Sequence, residues 1–186
     1  LFIFTLRHVP TGNSTKVRLL SHFVGAGMIS TYEQDPMLVA IDCAERGIRD
    51  GAGGPFGACI VQDLQIIAVA CNTVIHDQDP TCHAEINAIR LAAKGLQSPH
   101  LDGCVMYSTA EPCPMCLGAI YWAHIDQIFY GVERQFVAQY GFMDEAIYSE
   151  LDRAEGDRQV SLSPGEHTQA CGLIFEHWKQ LQQPLY

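Results

Sequence analysis

Two short motifs, His83-Ala84-Glu85 and Glu111-Pro112-Cys113-Pro114-Met115-Cys116, constrain this chain more than anything else in it. Cys113 and Cys116 are three residues apart, and Pro114 suits the first turn of a helix, so both sulfurs can share one helix face. The free N–H groups and positive dipole end of that turn favour thiolates over thiols. His83 stands likewise at the start of a predicted helix, Thr81 to Lys94, opened by Asp79, Pro80 and Thr81 and stopped by Gly95. A fold that uses these residues together must bring the starts of two helices to one point.

Two sulfurs and one nitrogen make three protein ligands for zinc and leave its fourth tetrahedral position to water, the mark of a catalytic site. Zinc lowers the pKa of such a water from 15.7 toward ~7. Glu85, two residues beyond the ligand, is placed to shuttle protons without binding the metal. Taken singly, the pieces are ambiguous: a C-x-x-C is often a structural zinc knuckle or a redox pair, and a His-x-Glu is usually a surface helix pair. Their order, with one helix and one strand between them, matches the signature of zinc-dependent nucleobase deaminases.

The remaining pattern sets a frame for them. Pro36 to Arg49 carries Met37, Leu38, Ile41, Ala44 and Ile48 at helical spacing until Asp50-Gly51. Phe56 to Gln62 and Gln65 to Cys71 read as a hairpin around Asp63-Leu64. A strand over Cys104–Thr109, a helix over Pro114–His124, a strand over Gln127–Gly131 and a helix around Arg134–Tyr140 follow. Gln159 to Leu162 is a weaker strand candidate, and Glu166 to Gln182 reads as a last amphipathic helix. Strands alternating with helices predict an α/β fold, a three-layer α/β/α sandwich with a mixed central sheet of about five strands. Residues 1–30 read as a leader, disordered or a non-native extension with Met28 as the natural start, and residues 31–186 as a single domain.

The chain has 186 residues and a formal net charge of −10, from 21 acidic and 11 basic residues. That balance disfavours an extended grip on phosphate backbones, which needs clustered Lys and Arg. No apolar run approaches the ~18–20 residues of a membrane-spanning helix. Eight cysteines, most inside apolar runs, point to a reducing cytoplasm rather than to a disulfide framework. His124, His167 and His177 have no partner at metal-ligand spacing and read as surface or packing residues.

Beyond the two motifs, Gly53-Gly54-Pro55-Phe56-Gly57-Ala58, Asp79-Pro80-Thr81, Leu117-Gly118-Ala119-Ile120-Tyr121-Trp122-Ala123 and Gly141-Phe142-Met143-Asp144 complete a pattern that runs to Tyr186. It resembles the cytidine-deaminase-like zinc hydrolases, and among them the guanine-deaminating branch. The resemblance implies zinc on His83, Cys113 and Cys116, Glu85 as proton shuttle, and Asp144 as a catalytic contact to the substrate. It further implies that Asn72 hydrogen-bonds a purine and that Phe56 stacks near it; Ala84 and Trp122 join the expected substrate contacts. Against these stand plainer readings, of Phe56 and Trp122 as core residues and of Asp144 as a solvated helix acid. In that branch the segment reads Gly-Phe-Asp-Asp, whereas this chain has Met143 at the first acidic position. The branch forms homodimers that exchange C-terminal segments, which implies that Tyr186 closes the partner's pocket.

The expected activity is therefore deamination of a purine base, guanine to xanthine with release of ammonia. Rival readings are a tRNA adenosine deaminase, a guanosine or pyrimidine deaminase, and a structural zinc module that serves as an interaction domain. The last needs a fourth protein ligand. Cys82 is the one obvious spare, poorly placed beside His83.

Overall fold

In the computed structural model the described residues are 34–185. The expectations for residues 1–30 and for Tyr186 lie outside them. The first helix, α1 (Pro36–Arg49), starts where Asp35 caps it, its carboxylate accepting from Met37 N and Leu38 N at 2.9 and 3.4 Å. Strands β1 (Gly57–Gln62) and β2 (Gln65–Cys71) form the expected hairpin. Asp63 and Leu64 both take positive φ, 47° and 65°, as a two-residue turn between right-twisted strands requires.

A short helix α2 (Val74–Asp77), which no sequence signal announced, precedes α3 (Ala84–Leu96). Then come β3 (Cys104–Ala110), α4 (Pro114–Trp122), β4 (Gln127–Val132), α5 (Arg134–Ala138), α6 (Asp144–Leu151) and α7 (Thr168–Gln180). The sheet order is β2-β1-β3-β4; β1 runs antiparallel to both neighbours and β3 parallel to β4.

The alternation along β1 divides the core between two helical layers. Ala58 and Ile60 pack with Ala84, Ala88 and Ala92 of α3 and Ile120 of α4, whereas Cys59 and Val61 pack with Ala40 of α1. That is the predicted three-layer sandwich, with four strands in its sheet where about five were expected. Gln159–Leu162 forms no strand: Val160 and Leu162 are 75% and 63% exposed, with no strand beside them.

Only glycine fits where α1 crosses β1. A Cβ on Gly57 would lie 2.0 Å from the Ala40 carbonyl oxygen, a backbone atom that cannot swing away. Gly57→Ala therefore forces the helix off the sheet, at a cost of about 1–3 kcal/mol by analogy with overpacked cores. Urea unfolding measures this as a lowered midpoint at unchanged slope.

Candidate metal centre and active site

The two helices on one face of the sheet, α3 and α4, begin side by side. His83 is the residue that caps α3, and Cys113 caps α4, with Pro114 in its first turn. The sulfurs of Cys113 and Cys116 lie 3.6 and 3.5 Å from His83 Nδ1. A tetrahedral zinc with bonds of ~2.3 Å to sulfur and ~2.1 Å to nitrogen needs an S···N separation of about 3.6 Å. Both sulfur–nitrogen separations thus meet the demand, and the three donor atoms all lie within 4.8 Å of one another.

Their protonation tells the same story. Cys113 is pulled down to about 4, chiefly because the Cys116 thiol hydrogen-bonds to its thiolate, and Cys116 is driven above the ordinary thiol range by the same bond. His83 is raised by its hydrogen bond to Cys113. Three donors crowded on one point compete for protons, and a dication relieves that competition by replacing them.

Beside the donors is a cavity of about 310 Å³, lined among others by Gly54, Phe56, Asn72, Glu85, Phe142 and Asp144. Glu85 is 5% exposed, and burial lifts its carboxyl above the usual carboxylate range. The Ser108 hydroxyl on β3 donates to its Oε1 at 3.5 Å. Asp144, first residue of α6, is half-buried and raised for the same reason, desolvation.

Asn72 is buried, and its side-chain oxygen accepts from Gly54 N and Val74 N, each at 3.2 Å. Two backbone donors fix which end of the amide is oxygen and leave the NH₂ group for the cavity. Gly53 permits this approach, since a Cβ there would stand 2.1 Å from Asn72 Oδ1. Phe56 meets Phe142 edge to face, ring centroids 4.8 Å apart.

Two expected contacts fall elsewhere. Trp122 is 69% exposed at the far end of α4, about 9 Å of helix rise beyond Cys116, so within this chain it offers no face to the cavity. Ala84 is fully buried in the core cluster between α3 and the sheet and does not line the cavity. Conversely, Phe142 and Glu111 line it although the sequence assigned neither a role. The Gly141-Phe142-Met143-Asp144 segment was itself the available signal for Phe142.

A polar brace holds α5 and α6 against the segment before Cys113. The Tyr148 hydroxyl donates to the Pro112 carbonyl at 2.9 Å, and the Arg134 guanidinium sits 4.5 Å from the centroid of the Tyr148 ring. Arg134 also pairs with Glu111 at 3.4 Å and approaches Glu145 at 2.6 Å, the latter a charge contact rather than an aligned hydrogen bond. Asp144 is positioned relative to the cysteines through this one network.

Residues 30–132 match the model of the cytidine and deoxycytidylate deaminase zinc-binding region. The chain belongs to that zinc-binding deaminase family. Its His83, Cys113 and Cys116 are the family member's candidate zinc site. Among similar proteins, the guanine deaminase of Bacillus subtilis is 49% identical over 121 residues, 65% of this chain and 78% of that protein. A tRNA-specific adenosine deaminase of Aquifex aeolicus is 40% identical over 144 residues, 77% of this chain and 92% of that one. The X-ray structure of the B. subtilis guanine deaminase superposes with a TM-score of 0.74 at 43% identity, covering 78% of this chain and 92% of that one.

Proposed function

We propose that this deaminase converts guanine and water to xanthine and ammonia. The observation that carries the reading is a buried carboxylic acid, Glu85, lining one cavity with a histidine–thiolate metal centre and a second carboxyl, Asp144. Similarity to the B. subtilis guanine deaminase, over most of both chains in the structural comparison, favours guanine among the purines.

Zinc on His83, Cys113 and Cys116 supplies the activation of water. Each remaining task falls to a side chain. The Glu85 carboxylate, whose affinity for protons is raised by burial, takes a proton from the attacking water and passes it to the ring nitrogen beside the attacked carbon, then carries the proton of the newly added hydroxyl to the departing amine. Asp144, an acceptor when ionised, takes the N1–H and 2-amino donors along one edge of guanine. The Asn72 NH₂ donates to an acceptor on the ring, and Phe56 with Phe142 supplies its apolar face. With Met143 where the guanine branch carries an acid, Asp144 acts there without an acidic residue immediately before it.

A second reading, a tRNA adenosine deaminase, has the Aquifex relative in its favour. The net charge of −10 opposes it, since an RNA loop is held by basic side chains. An ammonia-release screen over guanine, guanosine, adenosine, cytosine and tRNA separates the two. Guanine is expected to give the fastest release, and release from tRNA alone would overturn the proposal. Glu85→Gln is expected to lower kcat by about 10²- to 10⁴-fold while zinc content stays unchanged.

A homodimer accompanies this reading. Every described residue from Gln159 to Leu185 is exposed, among them Ile174 and Phe175 of α7 at 68% and 76%. A helix of 13 residues is marginal in water on its own, so its apolar face calls for a covering surface, and a second copy provides it by exchange of C-terminal segments. Light scattering is expected to give twice the 20.5 kDa of one chain; a monomer at micromolar concentration would remove this part. The eight cysteines, all free, fit a reducing cytoplasm. Among the described residues no helix is long and apolar enough to cross a membrane.

A further inference from the structure

His124, which sequence spacing left without a partner, has two. The loop after α3 carries His100 and Asp102, and the turn after α4 carries His124. Ligand atoms of the three lie within 4.8 Å of one another. The imidazoles of His100 and His124 stack with centroids 4.0 Å apart and planes 12° from parallel; because imidazole nitrogens bind a metal in the plane of the ring, the half-exposed His124 ring has to turn out of this stack for both to reach one ion. His124 Nδ1 is 3.3 Å from Asp102 Oδ1, close to the ~3.4 Å between two ligand atoms on a tetrahedral ion with bonds of ~2.1 Å. His100 Nε2 is buried and has no hydrogen-bond partner among the described residues, an arrangement that leaves a polar atom uncompensated.

The backbone holds these groups in place. Leu101 N donates to the Ala123 carbonyl at 2.7 Å and Gly103 N to Asp126 Oδ2 at 2.8 Å, tying the two loops together. The Ser98 hydroxyl fixes His100 by accepting from its N–H and donating to its carbonyl. His124 adopts a left-handed φ of 55° immediately past the end of α4, where the negative end of the helix dipole favours a cation. The cluster lies ahead of Cys104 and Gln127, at the opposite end of β3 and β4 from the deaminase centre, about 20 Å away by strand rise.

The geometry points to a second, surface metal site on His100, Asp102 and His124, taking a divalent first-row transition ion. Two imidazoles and one carboxylate suit zinc, nickel or copper and discriminate against magnesium and calcium. His124 and Asp102 are 48% and 72% exposed, so both side chains are free to turn onto an ion beside His100, and water fills the remaining positions. The site clamps the α3–β3 loop to the α4–β4 turn and stabilises the fold from the end remote from catalysis.

Calorimetric titration of the full chain, already carrying one zinc per subunit, with further Zn²⁺ tests this. One additional equivalent is expected, raising Tm and undisturbed by excess Mg²⁺. His124→Asn, which tolerates the left-handed backbone, and Asp102→Asn are each expected to weaken the second binding at least about tenfold while the first zinc and deamination are retained. No uptake beyond one equivalent would show that the cluster is an ion pair only. A second equivalent bound equally well by both variants would place the ion elsewhere. Either result overturns the assignment.

Discussion

The structure depends on two helix N-termini held at one point by a sheet. α3 and α4 pack on the same face of β1 and β3 through alanines and Ile120, and their first residues face each other across the carboxyl end of β3. At that point the chain places an imidazole on one helix start and two sulfurs on the other. The dipole ends stabilise anionic sulfur, and a dication binds most strongly where thiolates are already favoured. Binding there staples the two helices together, so part of the metal's binding energy becomes folding energy.

The same frame explains the chemistry. Glu85 follows His83 by two residues, so the helix that supplies a metal donor carries the acid into the dry interior beside it. Burial then raises its affinity for protons, which a shuttle at neutral pH requires. Asp144 arrives from a different part of the chain and depends on the brace of Tyr148, Arg134 and Glu111 to reach the same cavity. The proposed reaction thus uses one rigid side, α3 with α4, and one side attached through polar contacts.

Much of this was readable before any coordinates. The i, i+3 cysteines after a proline, and the histidine two residues before a glutamate, are local patterns whose geometry follows from helix periodicity. The hairpin, three helices of the sandwich and the strand–helix–strand run from Cys104 to Gly131 were visible because apolar spacing and turn residues agreed. What escaped was non-local or truly ambiguous. Trp122 lies in the matching segment, yet helix rise carries it away from the cavity. Ala84 sits between two site residues but faces the core. Gln159–Leu162 alternates like a strand but pairs with neither edge of the sheet. His100 and His124 are far apart in sequence and meet only because β3 and β4 are parallel neighbours, which puts the loops before both strands together. Helical spacing cannot signal such a meeting.

The central claim is that His83, Cys113 and Cys116 bind one zinc ion and leave its fourth position to solvent or substrate. X-ray absorption at the zinc edge, on protein carrying a single equivalent, reads this directly. The account predicts two sulfurs at ~2.3 Å and two nitrogen or oxygen neighbours at ~2.0–2.1 Å, one of the latter exchanging when a guanine analogue is added. A shell of three or four sulfurs, or one that no ligand perturbs, would contradict it.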